Sequence, residues 1–161
     1  MGKADVQLIS QSVLGSDLVQ EDCEILSDIV KHKKLAQNEI LFDAGTVDAS
    51  LYILINGKLD ILKAIGPDKE LSINSLKPGS VIGELSFIDG DAHTMRLKAR
   101  IDSEVLVLHR DDFEQLAEKN NRVVFNVMKS ILRYSHNLQR KMLQENLEMH
   151  RMVLNEYTTQ Y

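Results

Sequence analysis

Cysteine is nearly missing from the 161 residues: Cys23 is the only one. A lone thiol closes no intrachain disulfide and cannot hold a cluster that needs several thiolates from one chain, so an iron–sulfur oxygen sensor is excluded. No apolar run approaches the roughly 20 residues that span a bilayer, and the N-terminus has no signal-peptide core, so a cytoplasmic location is expected with no membrane contact. An excess of basic residues is also missing. The formal net charge is -5, whereas a dedicated nucleic-acid binder carries a basic face. Catalytic signatures are absent too: no G-x-S-x-G elbow, no P-loop, no dinucleotide fingerprint. The five histidines, His32, His93, His109, His136 and His150, form no metal-binding pair and have no cysteine cluster beside them, so neither an enzyme nor a metal site is expected. There is no internal repeat or Gly/Ser linker.

What is present is an ordinary globular composition, 43% hydrophobic and 27% charged, long enough for one real core. Three zones follow one another. Residues 1–34 read as an N-terminal helical segment of two short helices parted by Gly15-Ser16. Val19, Cys23, Leu26, Ile29 and Val30 recur at helical spacing, and Asp17 with Gln20 forms a variant capping box.

Residues 35–110 change to short β-type runs, broken at Gly45, Asn56-Gly57, Gly66-Pro67, Pro78-Gly79 and Asp89-Gly90. Asn-Gly between alternating apolar runs predicts a hairpin, because both residues tolerate positive φ. Many short strands with frequent turns predict an antiparallel roll, barrel or sandwich. Residues 111–161 have neither proline nor glycine. His109-Arg110-Asp111 ends a strand and starts a helix; it is no kinase loop, since Leu116 stands where that loop needs asparagine. Asn120-Asn121 predicts a break, and a single helix runs on from Arg122 to about Tyr157, roughly 54 Å at 1.5 Å per residue. Met128, Met142, Met149 and Met152 share it with Leu138, Leu143, Leu147 and Leu154. So long an apolar stripe exceeds what one small β unit covers, which predicts a homodimer through 122–157.

One loop stands apart. Gly83-Glu84-Leu85-Ser86 offers a close-approach glycine and a carboxylate. Asp89-Gly90-Asp91-Ala92-His93-Thr94 offers a turn, a cation and a hydroxyl. A phosphate diester held in a small β unit needs backbone amides at a tight turn plus a cation, and a ribose hydroxyl needs a carboxylate.

On these residues the chain resembles the cyclic-nucleotide-binding domain family, which includes the catabolite activator protein and the regulatory subunits of protein kinase A. Asn38–Gly45 resembles its first roll strands, Ser50–Ile61 its signature hairpin, Leu76–Leu85 the approach to its phosphate-binding cassette, and Glu104–Leu116 its last strand and hinge helix. The resemblance implies a mainly β fold: an antiparallel, jelly-roll-like β-roll with N-terminal helices and a long C-terminal helix. It implies that Glu84 accepts from the ribose 2′-hydroxyl while amides around Gly83–Leu85 and Thr94 hold phosphate. Ser86 continues the matched segment. The cassette departs from the family at Ala92, where proline is usual, at His93, where arginine is usual, and at Met95, which replaces a small residue and partly fills the pocket. Arginine is a permanently charged fork, whereas histidine titrates near pH 6.5 and offers one donor to a given anion. Losing one charge-assisted bond costs roughly 1.5–3 kcal/mol. Arg96, three residues on in a strand, points to the opposite face and is no substitute.

The expectation is therefore a regulatory or sensory domain that binds a small nucleotide-type ligand, with cyclic AMP or cyclic GMP as candidates, binding weakly or in altered form. It would signal through its C-terminal helices to a downstream protein, without a DNA-binding domain. Anion binding should strengthen at lower pH and with His93→Arg. The alternative is a degenerate, non-binding roll that serves as a dimeric scaffold.

Overall fold

The computed structural model describes residues 1–158; the end of the helical segment expected over 111–161 lies outside the described residues. Nine strands form two antiparallel sheets. The first contains β1 (Gly2–Lys3), β2 (Val30–Leu35), β4 (Ser50–Asn56), β7 (Val81–Ile82) and β9 (Ser103–His109), in the order β1-β2-β9-β4-β7. The second contains β3 (Ile40–Phe42), β5 (Leu59–Gly66), β6 (Lys69–Leu76) and β8 (Arg96–Ala99), in the order β3-β8-β5-β6. The helices are α1 (Val6–Gln11), α2 (Gln20–Ser27), α3 (Glu84–Asp89), α4 (Arg110–Lys119) and α5 (Asn121–Thr158). This is the mainly β roll with flanking helices that the sequence led us to expect.

The first sheet is buried on both faces. Successive strand side chains point to opposite sides, so Tyr52, Leu54, Val105 and Val107 meet Leu59, Leu97 and Ala99 of the second sheet inside the roll. Leu51, Ile53, Leu106 and Leu108 point the other way and pack on Ile9, Leu14, Leu26, Phe113, Val123 and Val127 of the helical layer. Two-sided burial explains why "LYILI" lacks the apolar–polar alternation of a half-exposed strand.

Three expectations are corrected. Residues Val30–Leu35 do not continue the N-terminal helices. They form β2, paired with β9 from Val30↔Leu108 to Leu35↔Ser103. Asn56-Gly57 is not a hairpin turn, because β4 pairs with β7 and β9 while β5 pairs with β6 and β8. It is a corner where the chain passes between sheets. Gly57 has φ +93, and a Cβ there would stand 2.6 Å from the Asp102 carbonyl oxygen; the next amide, of Lys58, donates to Ser103 Oγ at 3.0 Å. The β5–β6 hairpin turns instead at Pro67-Asp68, between the paired Gly66 and Lys69. Asp17 forms no capping box either: Val19 is the N-cap of α2 and makes no side-chain cap bond. Asp17 reaches α5, where Arg133 donates to it at 2.8 Å and Lys129 lies 3.6 Å away.

Both breaks near the C-terminal helices fall where expected. His109 caps α4 by accepting from the Asp111 amide through Nδ1 at 3.3 Å. Asn120 Oδ1 accepts from the Val123 amide at 3.3 Å, opening α5. Val123, Val127 and Ile131 pin the first turns of α5 to the core, and from 135 to 155 every residue is exposed.

Candidate functional site

Strand β7 runs into Gly83, whose left-handed backbone (φ 83, ψ 20) turns the chain directly into α3. The space there is tight. A Cβ on Gly83 would stand 2.8 Å from the Ser50 carbonyl oxygen and 3.6 Å from His93 Cε1. Helix α3 ends at Gly90, again left-handed, and the chain returns through 91–95 to β8. The return is fixed by two backbone bonds. The His93 amide donates to the Thr46 carbonyl at 2.9 Å, and the Gly45 amide donates to the His93 carbonyl at 2.7 Å.

Between α3, this return loop and the open end of the roll lies a cleft of about 270 Å³. Gly83, Glu84, Leu85, Ser86, His93, Thr94 and Met95 all line it, so the seven residues singled out from sequence share one cavity. Its other walls are Phe42, Ile61, Leu76, Val81, Ile82, Ala92 and Leu97. Their roles differ. Glu84 is half-buried, and its carboxylate has no hydrogen-bond or ion-pair partner among the described residues. Thr94 is exposed at the rim, and Met95 is half-buried. Ser86 is buried and accepts from the Ala49 amide through Oγ at 3.3 Å. The amides of Glu84, Leu85 and Ser86 open α3 and have no acceptor within it.

His93 is only 8% exposed. Its ring stacks on Phe42 with centroids 3.6 Å apart and planes 11° from parallel. Nε2 lies 3.0 Å from Asp48 Oδ1, off the line of the N–H, so the contact is electrostatic and not a hydrogen bond. Asp48 is held in turn: Tyr52 donates its hydroxyl to Oδ2 at 2.6 Å, and the Ser50 amide donates to Oδ1 at 3.1 Å. Burial first, and the Asp48 carboxylate next, push the Tyr52 phenol well above its usual range, which keeps it a neutral donor. Arg96 stands apart as expected, bonded to Asp43 and Glu70 and outside the cleft wall.

The family model described as "Cyclic nucleotide-binding domain" matches residues 32–120, more than half of the chain. This chain belongs to the cyclic nucleotide-binding domain family. The Anaerobic regulatory protein of Bacillus subtilis is 27% identical over 128 residues, covering 78% of this chain and 54% of that protein. Neuropathy target esterase sws of Drosophila yakuba is 23% identical over 142 residues, covering 80% of this chain and 10% of the esterase. A crystallised cyclic nucleotide-binding domain from Methylobacillus flagellatus superposes with a TM-score of 0.75 at 20% identity, covering 84% of this chain and 79% of that one. The chain thus spans about half the length of the first of these relatives and a tenth of the second. No helix among the described residues is long and apolar enough to cross a membrane.

Within this cyclic nucleotide-binding domain α3 is joined to α4 by contacts that sequence reasoning missed. Phe87 of α3 meets Phe113 of α4 with ring centroids 5.6 Å apart. Ala49, strained at φ 50, gives its amide to Ser86 and accepts from the Arg110 amide at 2.9 Å. Asp48 and Phe42 were missed as partners of His93, and Tyr52 as the residue that holds Asp48. The three lie 41 to 51 positions from His93, and no local spacing signals the pairing.

Proposed function

We propose that the chain is a regulatory module that holds a small ligand of nucleotide type, built on a ribose, in the cleft beneath α3. The carrying observation is the Glu84 carboxylate, which lines the cleft without a protein partner. A ribose presents one hydroxyl donor in a 3′,5′-cyclic nucleotide and two adjacent ones in a nucleoside, and an ionised carboxylate is an acceptor with two oxygens to meet them. The apolar walls Phe42, Ile61, Leu76 and Val81 suit the faces of a base.

The signal would leave through α3. Ligand against Glu84 and Leu85 bears on a helix whose far side is tied to α4 by Phe87–Phe113 and by the Ser86–Ala49–Arg110 bonds. A shift of α3 therefore biases α4 and the α5 that follows it. The exposed face of α5, with Leu138, Met142, Leu147, Met149 and Met152 each 44–69% accessible, would pair with α5 of a second copy. That dimer carries the signal to a downstream protein.

Thermal denaturation with ribonucleosides, cyclic AMP and cyclic GMP tests the binding. A ligand at 100 times its Kd stabilises the fold by about 2.7 kcal/mol. No shift with any of them at millimolar concentration refutes the reading. It would favour the second reading, a non-binding scaffold, to which the burial of His93 against Asp48 lends support.

A further inference from the structure

We infer that the ligand of this cleft carries no phosphate and is an uncharged nucleoside. The inference rests on the reading of the cleft as a ligand site, and it narrows the ligand.

No lysine or arginine lines the cleft. A phosphodiester moved out of water needs a matching cation as well as amide donors. His93 is the one basic side chain in the wall, and Asp48 Oδ1 lies 3.0 Å from its Nε2. Any positive charge on that ring is already answered by a carboxylate, itself fixed by Tyr52 and Ser50. Arg96 is engaged by Asp43 and Glu70, and Arg110, whose guanidinium would stand 3.3 Å from a Cβ on Gly90, is not part of the cleft wall.

The carboxylate that lines the wall is Glu84; Asp48 stands beside His93, and Asp89 and Asp91 flank Gly90 outside the wall. The amides at the start of α3 are a small counterweight: the helix has six residues and already carries Glu84 in its first turn. A cyclic phosphate would therefore enter a cleft whose wall holds a carboxylate and no lysine or arginine to answer its charge. The corresponding nucleoside keeps both hydroxyl donors for Glu84 and the base for the apolar walls, and brings no charge. At about 270 Å³ the cleft is at the small end for ligand sites, which also favours the smaller molecule.

The test is calorimetric titration of the full chain with each of the four ribonucleosides and its 3′,5′-cyclic monophosphate. At least one nucleoside should bind about tenfold or more tighter than its cyclic monophosphate, and Glu84→Ala should remove that binding. Thr94→Arg, at the exposed rim, should narrow or invert the preference by supplying the missing cation. It avoids the burial that makes His93→Arg a risk to folding. A cyclic monophosphate that binds as tightly as its nucleoside overturns the inference and leaves the ligand site standing. Binding that is unchanged in Glu84→Ala overturns the assigned contact. No binding by any of the eight compounds overturns the ligand-site reading itself.

Discussion

Gly83 and Gly45 form a matched pair that separates backbone strain from steric fit. Both have φ +83, so replacing either with alanine forces an L-residue into the left-handed region at about 1–2 kcal/mol. Alanine also narrows the unfolded ensemble, which returns about 0.4–1 kcal/mol. At Gly45 nothing lies within 4 Å of the added Cβ, so Gly45→Ala should lose only about 1 kcal/mol. At Gly83 the new atom meets the Ser50 carbonyl oxygen at 2.8 Å and the Tyr52 ring at 3.4 Å. The first is the backbone of a buried strand and yields little. Forcing extra volume into such a place adds about 1–3 kcal/mol, so Gly83→Ala should lose about 2–4 kcal/mol in all. Urea denaturation measures both. With a slope near 2 kcal/mol per molar, the two midpoints should differ by about 0.5–1.5 M. Equal losses refute the steric argument. A Gly83→Ala protein as stable as Gly45→Ala that fails only in ligand binding would show instead that this glycine makes room for the ligand and not for Ser50.

Deleting α5 beyond residue 137 should leave the stability of the roll nearly unchanged and abolish the dimer proposed through this helix in sedimentation velocity, because residues 135–155 are exposed; a dimer that survives the deletion places the interface elsewhere, and a full chain that sediments as a monomer refutes the pairing. Tyr52→Phe strips Asp48 of a charge-assisted bond and should cost about 1.5–3 kcal/mol in urea. The Tyr52 phenol is raised above its ordinary value of 10.0, so the folded state holds that proton more tightly than the unfolded chain. Its contribution is complete below pH 10 and fades as the pH rises towards the folded value, and Tyr52→Phe should remove this alkaline loss. Arg133 bonding to Asp17 holds that carboxyl below its ordinary 3.8. The contact therefore stabilises above about pH 4 and is lost as the pH falls through the folded value; Arg133→Met should flatten this acid limb, and an unchanged limb would discard the pair as a contributor.

The strands, the helices and the turns between them were legible because each is written locally, while the choice of a roll and of a cassette at 83–95 came from the resemblance to a family. Apolar periods of two and of 3.6 separate strands from helices, and Gly83, Glu84 and His93 fall within a dozen positions. The capping of α4 at His109 and the break at Asn120 are equally local. Misreadings arose where a local signal had two spatial solutions. Asn56-Gly57 marks a sharp change of direction, but whether the chain folds back on its own strand or crosses to the other sheet depends on Ser103 and Asp102, 46 positions on. Val30 continues a helical spacing, yet the register offered by β9 takes the segment as strand, a case of tertiary pairing overriding local preference. Asp17 has the spacing of a cap, but a full ionic partner on α5 outbids a neutral amide.

The sequence alone therefore determined the class of fold, the order of its parts, the location of the candidate site and the excess length of the last helix. These depend on periodicity, on turn residues and on neighbours close along the chain. Only the tertiary structure decided what His93 does. Charge in a cleft is a sum over groups that converge from distant segments, and the carboxylate beside this histidine and the ring it stacks on, Asp48 and Phe42, come from 45 and 51 positions away along the chain.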